Sequence, residues 1–385
     1  MASQPNYREW CRVIREPLAS PRGQGSGFEL AAQQLLEVRR RIEKFLDERV
    51  QAASVIDEGL ATLWRITARS AEGGKLFRPA LVVQSYLAYT GAEEVPDAVI
   101  ELATATELLH LAFLTHDDVI DNDTMRRGVR NLLGSVEEIV GGSTFDDERG
   151  NRLGQAAAIL VGDLLLSEAH LRVARIDLPH AVRLRVLDAI ERALSVSVAG
   201  EFSDVSLSVR AEHPALAEVL SMSSNKTSAY TVLLPLELGL IAAGGEELVD
   251  ARLIAQFSDA AGLAFQLQDD LFGVFGDQHK LGKAPYSDIR EGKFTALIAL
   301  ACGTPVWNEL ESLLGDPHLS EVDGAKARDL IDASGSRAAV EQELAAQFAR
   351  ASAAARAVGA SGREGDRKLA EMMERLLMLL ERRTS

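Results

Sequence analysis

Two pairs of adjacent aspartates interrupt long apolar runs in this chain, Asp117-Asp118 within His116-Asp117-Asp118-Val119-Ile120-Asp121 and Asp269-Asp270 directly after Gln268. Carboxylates placed in an apolar helix are costly to bury unless their charge is offset. The fold therefore has to bring these positions to a polar cavity rather than to a plain core. Asp117 and Asp121 are four residues apart, which puts them on one helical face about 6 Å apart along the axis. Asp118 falls to one side. Carboxylates at that spacing can share or bridge Mg²⁺, a hard ion that keeps waters and takes one or two carboxylates plus phosphate oxygens. Two such clusters, about 150 residues apart, predict facing walls of one cavity suited to a diphosphate substrate. The plainer alternative for the first cluster is an exposed acidic helix end, continued by Asp123.

Composition narrows the architecture. Of the 385 residues 47% are apolar, only 11 are proline, and Ala, Leu, Glu and Arg dominate, which favours an all-α fold. No β-hairpin signal or run of alternating strands stands out. The formal charge of -16 excludes nucleic acid as a main partner, because phosphate neutralisation needs a basic face. It also means that an anionic ligand must be held by metal ions and a few placed Lys and Arg against the global field. Cys11 and Cys302 are the two cysteines and offer neither a disulfide framework nor a zinc spacing. The N-terminus lacks a basic-then-apolar signal segment. The apolar stretch Thr231 to Gly245 is short and interrupted by Pro235 and Glu237, so no membrane span is expected. A soluble, cytoplasmic protein is the expectation.

Residues 1–27 are rich in breakers (Pro17, Pro21, Gly23, Gly25, Gly27) and read as an irregular segment. From 28 to 385 a single all-helical domain is expected. Its first helix runs to about Arg69, with Leu35, Val38, Ile42 and Phe45 on one face. Helical patterns follow at 78–90, 96–123, 152–175, 179–207, 213–243 and 247–275. Gly141-Gly142 and Asp146-Asp147-Glu148 read as solvated loop. Gly276 to Gly292 is a long loop of the kind that is often functional. Beyond about 302 the chain is Ala/Glu/Arg-rich helix.

The acidic clusters have basic neighbours. Arg126-Arg127 follows the first within two turns. Such a pair can be a salt-bridged surface, but beside metal ions guanidinium forks suit bidentate phosphate contacts. After the second cluster come Lys280, Lys283, Asp288, Arg290 and Lys293, either a solvated basic loop or point charges for phosphate. Upstream, Gly73-Gly74-Lys75-Leu76-Phe77-Arg78-Pro79 is a glycine loop opening a helix, without P-loop spacing. Lys226-Thr227-Ser228 adds a cation within a helical pattern.

In chain order, GGKLFRP, ELLHLAFLTHDDVID, MRRG, Gly162-Asp163, GEFSD, NKTS, FQLQDD and GKAPYSDIREGK span about 73–293. Together they resemble the trans-prenyltransferases, the polyprenyl diphosphate synthases, most like geranylgeranyl and farnesyl diphosphate synthases. The resemblance implies one large helical bundle around a central cavity, an isoprenoid synthase-like fold. It implies isopentenyl diphosphate and an allylic diphosphate as substrates, and a homodimer. Asp117, Asp121 and Asp269 resemble the Mg²⁺ ligands, three ions in all, with Asp118 and Asp270 supporting. Lys75, Arg78, His110 and Arg127 resemble the isopentenyl diphosphate site. Arg126, Lys226 and Lys283 resemble contacts to the allylic diphosphate, with Lys293 a further basic residue near that mouth. Thr227 and Gln266 match positions beside the reacting carbons.

Two positions depart from the pattern. The second cluster of the family is DDxxD, and Gly273 stands where its last Asp would be; Asp277 or Asp288 are candidates to compensate. Glu201 stands in GEFSD where the family often has Gln, while Asp204 keeps its place. The reaction implied is head-to-tail condensation, the proton leaving to the departing pyrophosphate because no side-chain base is evident. Product length is expected to follow the turns before Asp117. Phe113 lies one turn up on the same face, Ala112 five residues before and Leu109 two turns up. A turn rises about 5.4 Å, close to one isoprene unit. Phe113 can floor the pocket near a short product while Ala112 leaves space, and the expected product is geranylgeranyl diphosphate, with farnesyl next; Phe113 as ordinary core is the alternative. Two other readings stay open: a class I terpene cyclase, and a non-catalytic subunit of a heteromeric synthase.

Overall fold

Ala- and Leu-rich runs form helices along nearly the whole chain, as expected for an all-α protein. The computed structural model describes residues 26–72, 74–126, 128–141, 147–210, 212–276 and 286–382. The irregular segment expected at 1–27 lies, up to residue 25, outside them. The described residues form two compact units, one running to Leu87 and over Ala92–Leu187, the other comprising Ala88–Gly91 and the chain from Asp188.

In the first unit the expected helix 28–69 is two helices, α1 (Ser26–Ile56) and α2 (Glu58–Ala71). The break is at Asp57, whose extended backbone and side chain cap α2 by accepting from Leu60 N. The anticipated face of α1 is buried: Leu35, Val38, Ile42 and Phe45. α3 (Phe77–Thr90) leads to α4 (Asp97–Ile120), which supplies the centre of this unit. Among the described residues α4 is the one helix long and apolar enough to cross a bilayer, and here it is a core helix, buried from Val99 to Ala112 at most positions. Thr104 and Thr106 hide their hydroxyls on the carbonyls of Ile100 and Leu102 (both 2.8 Å). α4 packs on α6 (Asp147–Arg175) and on α1. Glu101 of α4 pairs with Arg41 of α1 (2.6 Å) and Arg172 of α6 (2.8 Å), fixing the three helices together.

Between α4 and α6 the chain makes a short ladder the sequence did not reveal, β1 (Met125–Arg126) against β2 (Val129–Arg130), followed by α5 (Leu132–Gly141). Gly128 takes φ +76 in the connecting turn. Two residues per strand leave no alternation to read.

In the second unit α7 (His180–Val209, counted here from Asp188) precedes α8 (Leu216–Ser228), a π-helical turn (Ala229–Leu233) and α9 (Leu234–Ala243). The run expected as one helix over 213–243 is therefore interrupted. Pro235 has no N–H and would clash with the carbonyl four residues back in a regular helix. A widened turn just before it relieves that conflict, with Leu234 N bonding Ala229 O. α10 (Ala251–Phe275), capped by Asp250, is the central helix of this unit. It packs on α8 and on α15 (Ser336–Gly359). Gly262 permits the α8 contact, since a Cβ there would sit 2.3 Å from Ser228 Oγ. The short α11 (Ser287–Arg290), α12 (Ala296–Ala301), α13 (Trp307–Glu311), α14 (Glu321–Ala333) and α16 (Glu364–Glu381) complete it. Gln268, fully buried next to Asp269, donates to Leu380 O (2.9 Å) and ties α16 to α10.

Candidate functional site

The first aspartate pair occupies the last turn of α4. Asp121 caps that helix, its N–H bonding the Asp117 carbonyl (2.9 Å). Asn122 then takes φ +54, and the chain doubles back so that Arg126 of β1 meets the cluster. Arg126 Nε and Nη2 donate to Asp118 Oδ1 (2.8 and 2.5 Å), and Nη2 reaches Asp117 Oδ2 (3.3 Å). Asp118 is only 5% exposed. Burial pushes its carboxyl up to about 6, outweighing Arg126 and a hydrogen bond from Asn131. Arg126, half-buried, is pushed up: burial lowers it, but Asp118 and Asp117 outweigh that.

Asn131 was not singled out in the sequence. Its buried amide donates to Asp123 O (2.5 Å) and accepts from Gly134 N (2.9 Å), pinning the chain that returns Arg126. A Cβ at Gly134 would lie 2.3 Å from Thr124 O. Gly162 has a comparable reason: a Cβ there would lie 2.2 Å from His116 Nε2, and that ring sits 3.4 Å from Asp163 Oδ1. The Gly162-Asp163 pair thus docks α6 on the acidic end of α4.

Lys75 is exposed; Gly74 beside it is buried, its carbonyl accepting from Arg39 (2.9 Å) and its α-carbon packed near Glu107. Leu76 takes φ +51 as the loop enters α3, where Arg78 is half-buried. On α4, His110 and Phe113 are half-buried, whereas Ala112 and Leu109 lie in the core. Phe113 shares the incompletely buried side of the helix with Asp117. Arg127 lies outside the described residues.

The second pair sits near the end of α10. Asp270 is buried, and its carboxyl is pushed up to about 8, by burial first and then by Asp288, with Asp269 and Asp204 adding to it and Gln266 opposing. Gln266 Nε2 donates to Asp270 Oδ1 (2.9 Å) and its Oε1 accepts from Thr227 Oγ1 (2.8 Å). Thr227, Gln266 and Asp270 therefore form one chain of hydrogen bonds. Lys226, one residue earlier on α8, lies against two carboxylates of α7: 2.9 Å from Glu201 Oε2 and 2.7 Å from Asp204 Oδ2. A Cβ at Gly273 would stand 3.0 Å from Asp288 Oδ2. Asp288 thus fills the space beside the position where the third aspartate is missing. Tyr286, at φ +58 and buried with its ring against Gly324, anchors the short helix that carries Asp288. Lys293 pairs with Glu291 (2.8 Å). Asp277, Lys280 and Lys283 lie outside the described residues.

The donor set is carboxylate alone, which suits a hard divalent cation. Among the described residues no three His, Cys, Asp or Glu side chains converge on a ready-made cage. Mg²⁺ does not need one, because it completes its shell with water and phosphate oxygens.

The model of the polyprenyl synthetase family matches residues 62–330. The chain is 33% identical over 273 residues to the (2E,6E)-farnesyl diphosphate synthase of Mycobacterium tuberculosis (strain ATCC 25618 / H37Rv), covering 71% of this chain but only 65% of that relative. It is 32% identical over 266 residues to the short chain isoprenyl diphosphate synthase of Methanocaldococcus jannaschii, covering 68% of this chain and 73% of the relative. Among solved structures it superimposes on geranylgeranyl pyrophosphate synthase from Corynebacterium glutamicum, complexed with isoprenyl diphosphate and magnesium. That match has a TM-score of 0.81 and 28% identity and covers 91% of this chain and 99% of the other.

Proposed function

The chain belongs to the polyprenyl synthetase family, and on that premise we propose that it is a Mg²⁺-dependent prenyltransferase joining isopentenyl diphosphate head-to-tail to an allylic diphosphate. The observation that carries this reading is that each aspartate pair lies toward the C-terminal end of an apolar helix, and that the first has Arg126 on Asp117 and Asp118 while in the second unit Lys226 is held on Glu201 and Asp204. Asp117, Asp121 and Asp269 would hold the Mg²⁺, which when bound neutralises the diphosphate leaving group. Arg126, Lys226 and Lys283 take the allylic diphosphate and share its growing charge as the C–O bond breaks. Lys75, Arg78, His110 and Arg127 hold isopentenyl diphosphate, whose double bond forms the new C–C bond. Thr227 and Gln266 are fixed to one another and to Asp270, and so present a rigid polar surface to the reacting carbons. The proton leaves with the pyrophosphate. Asp288, set against Gly273, supplies the carboxylate that the second cluster lacks.

Phe113, on the Asp117 side of α4, floors the product pocket, which favours geranylgeranyl diphosphate and then farnesyl. Phe113→Ala is expected to lengthen the product by one five-carbon unit. The chain acts as a homodimer. α6 exposes Leu153, Leu160, Leu164 and Leu171, and α7 exposes Val198, Phe202, Val205 and Val209, each a single heptad-spaced stripe.

The test is incubation of the full chain with Mg²⁺, isopentenyl diphosphate and dimethylallyl, geranyl or farnesyl diphosphate in turn, with products dephosphorylated and sized by mass spectrometry. Elongated prenyl alcohols support the reading. Hydrocarbon without elongation would favour a class I cyclase, and neither product a non-catalytic subunit.

A further inference from the structure

We propose that Arg39 is a positioning residue for isopentenyl diphosphate: from α1 it holds the Gly74 carbonyl and so fixes the loop that presents Lys75. The inference rests on the function proposed above and adds to it a residue outside 62–330, the part of the chain that the family model matches.

Between α2, which ends at Ala71, and α3, which starts at Phe77, the loop carries its exposed Lys75 between two anchored neighbours. On one side Leu76 is buried, and its carbonyl accepts from Ala80 N (2.9 Å) to open α3. Leu76 takes φ +51, a conformation that a residue other than glycine keeps only where its surroundings hold it. On the other side Gly74 is buried, and Arg39 Nη2 donates to its carbonyl (2.9 Å). That carbonyl belongs to the peptide unit joining Gly74 to Lys75, so the guanidinium restrains the bonds that aim the lysine. A Cβ on Gly74 would stand 3.2 Å from Oε1 of Glu107, a buried residue of α4, so α4 packs against the same residue.

Arg39 stands on a fixed platform. Val38 before it is buried, and Arg41 two residues on pairs with Glu101 of α4 (2.6 Å). α4 also carries His110, three residues beyond Glu107 and on the same side of the helix. Arg39 thus ties the Lys75 loop to the helix that presents His110, and two residues assigned to isopentenyl diphosphate keep one spacing. Gly74 alone would let the loop sample many conformations, and ordering them would weaken binding. Arg126, Lys226 and Lys283, assigned to the allylic diphosphate, belong to other segments, so the effect is selective for one substrate.

The experiment is steady-state kinetics of the full chain. Isopentenyl diphosphate is varied first, then the allylic diphosphate that wild type elongates fastest, each with the other saturating and with Mg²⁺. Arg39→Met keeps the aliphatic stem and removes the donors. It is expected to raise KM for isopentenyl diphosphate about tenfold, as loss of a charge-assisted hydrogen bond would. KM for the allylic substrate and kcat are expected to change less than about threefold. Arg39→Lys, which keeps a cationic donor, is expected to stay within about threefold of wild type. In a Lys75→Met background Arg39→Met is expected to add less than about twofold, because it acts through Lys75. Thermal melts check folding, and Arg39→Gln carries the same expectation as Arg39→Met should the latter not fold. An unchanged KM for isopentenyl diphosphate, an equal rise in both KM values, or a full further rise in the Lys75→Met background would overturn the inference and leave Arg39 a structural contact. Wild type that elongates no allylic diphosphate would overturn the functional reading, and this inference with it.

Discussion

The two aspartate pairs look alike in sequence and differ in how the protein tolerates them. Asp118 is buried against the guanidinium of Arg126 and steadied by Asn131, and its carboxyl rises only to about 6. Asp270 is buried with an amide partner, Gln266, and with other carboxylates as its electrostatic neighbours; its carboxyl rises to about 8. The first pair carries its own counter-charge in Arg126, whereas the hydrogen-bond partner of Asp270 is the neutral amide of Gln266. A buried acid held mainly by an amide is costly in isolation. Its persistence here fits a position where a divalent ion arrives with the substrate.

The two pairs should differ most from ordinary surface acids in turnover. Asp117→Ala is expected to lower prenyl-product formation by about three orders of magnitude while leaving the melting temperature nearly unchanged, because Asp117 is only half-buried. Steady-state assays beside thermal melts check it. Next comes a contrast in stability. Asp118→Asn uncouples a buried ion pair and is expected to cost about 2–3 kcal/mol in denaturant unfolding. Asp270→Asn, measured without metal, removes a poorly compensated acid and is expected to cost less than about 1 kcal/mol or to stabilise. Equal losses in the two variants would erase the distinction between the clusters. Smaller still is the coupling between positions 273 and 288. Gly273→Asp crowds a second carboxylate onto Asp288 and is expected to destabilise by about 1 kcal/mol, a penalty that Asp288→Asn relieves in the double variant. Additive effects across that cycle would show that the two positions do not share one space.

Much of this is legible in the amino-acid sequence. Apolar periodicity gave the buried face of α1, and paired acids in apolar runs marked the last turn of α4 and a position more than one turn before the end of α10. What stayed hidden was local punctuation. Asp57 followed by Glu58-Gly59 is a cap signal that a long amphipathic pattern overrode. Pro235 announced a disturbance but not that a π-helical turn would absorb it upstream. Asn131 carried no signal, because a polar residue after a short loop reads as solvent-exposed until the chain folds over it. Lys226 was legible as a cation, but its carboxylate partners Glu201 and Asp204 were not, since they lie more than twenty residues upstream on another helix.

Counting bound ions decides the proposed claim that both aspartate pairs serve metal-held diphosphate. Mn²⁺ in place of Mg²⁺, titrated in the presence of inorganic pyrophosphate and followed by electron paramagnetic resonance, reports the number bound. Three ions are expected for wild type, with fewer in Asp117→Ala and, independently, fewer in Asp269→Ala. A wild-type count retained in either folded variant would contradict the claim for that cluster.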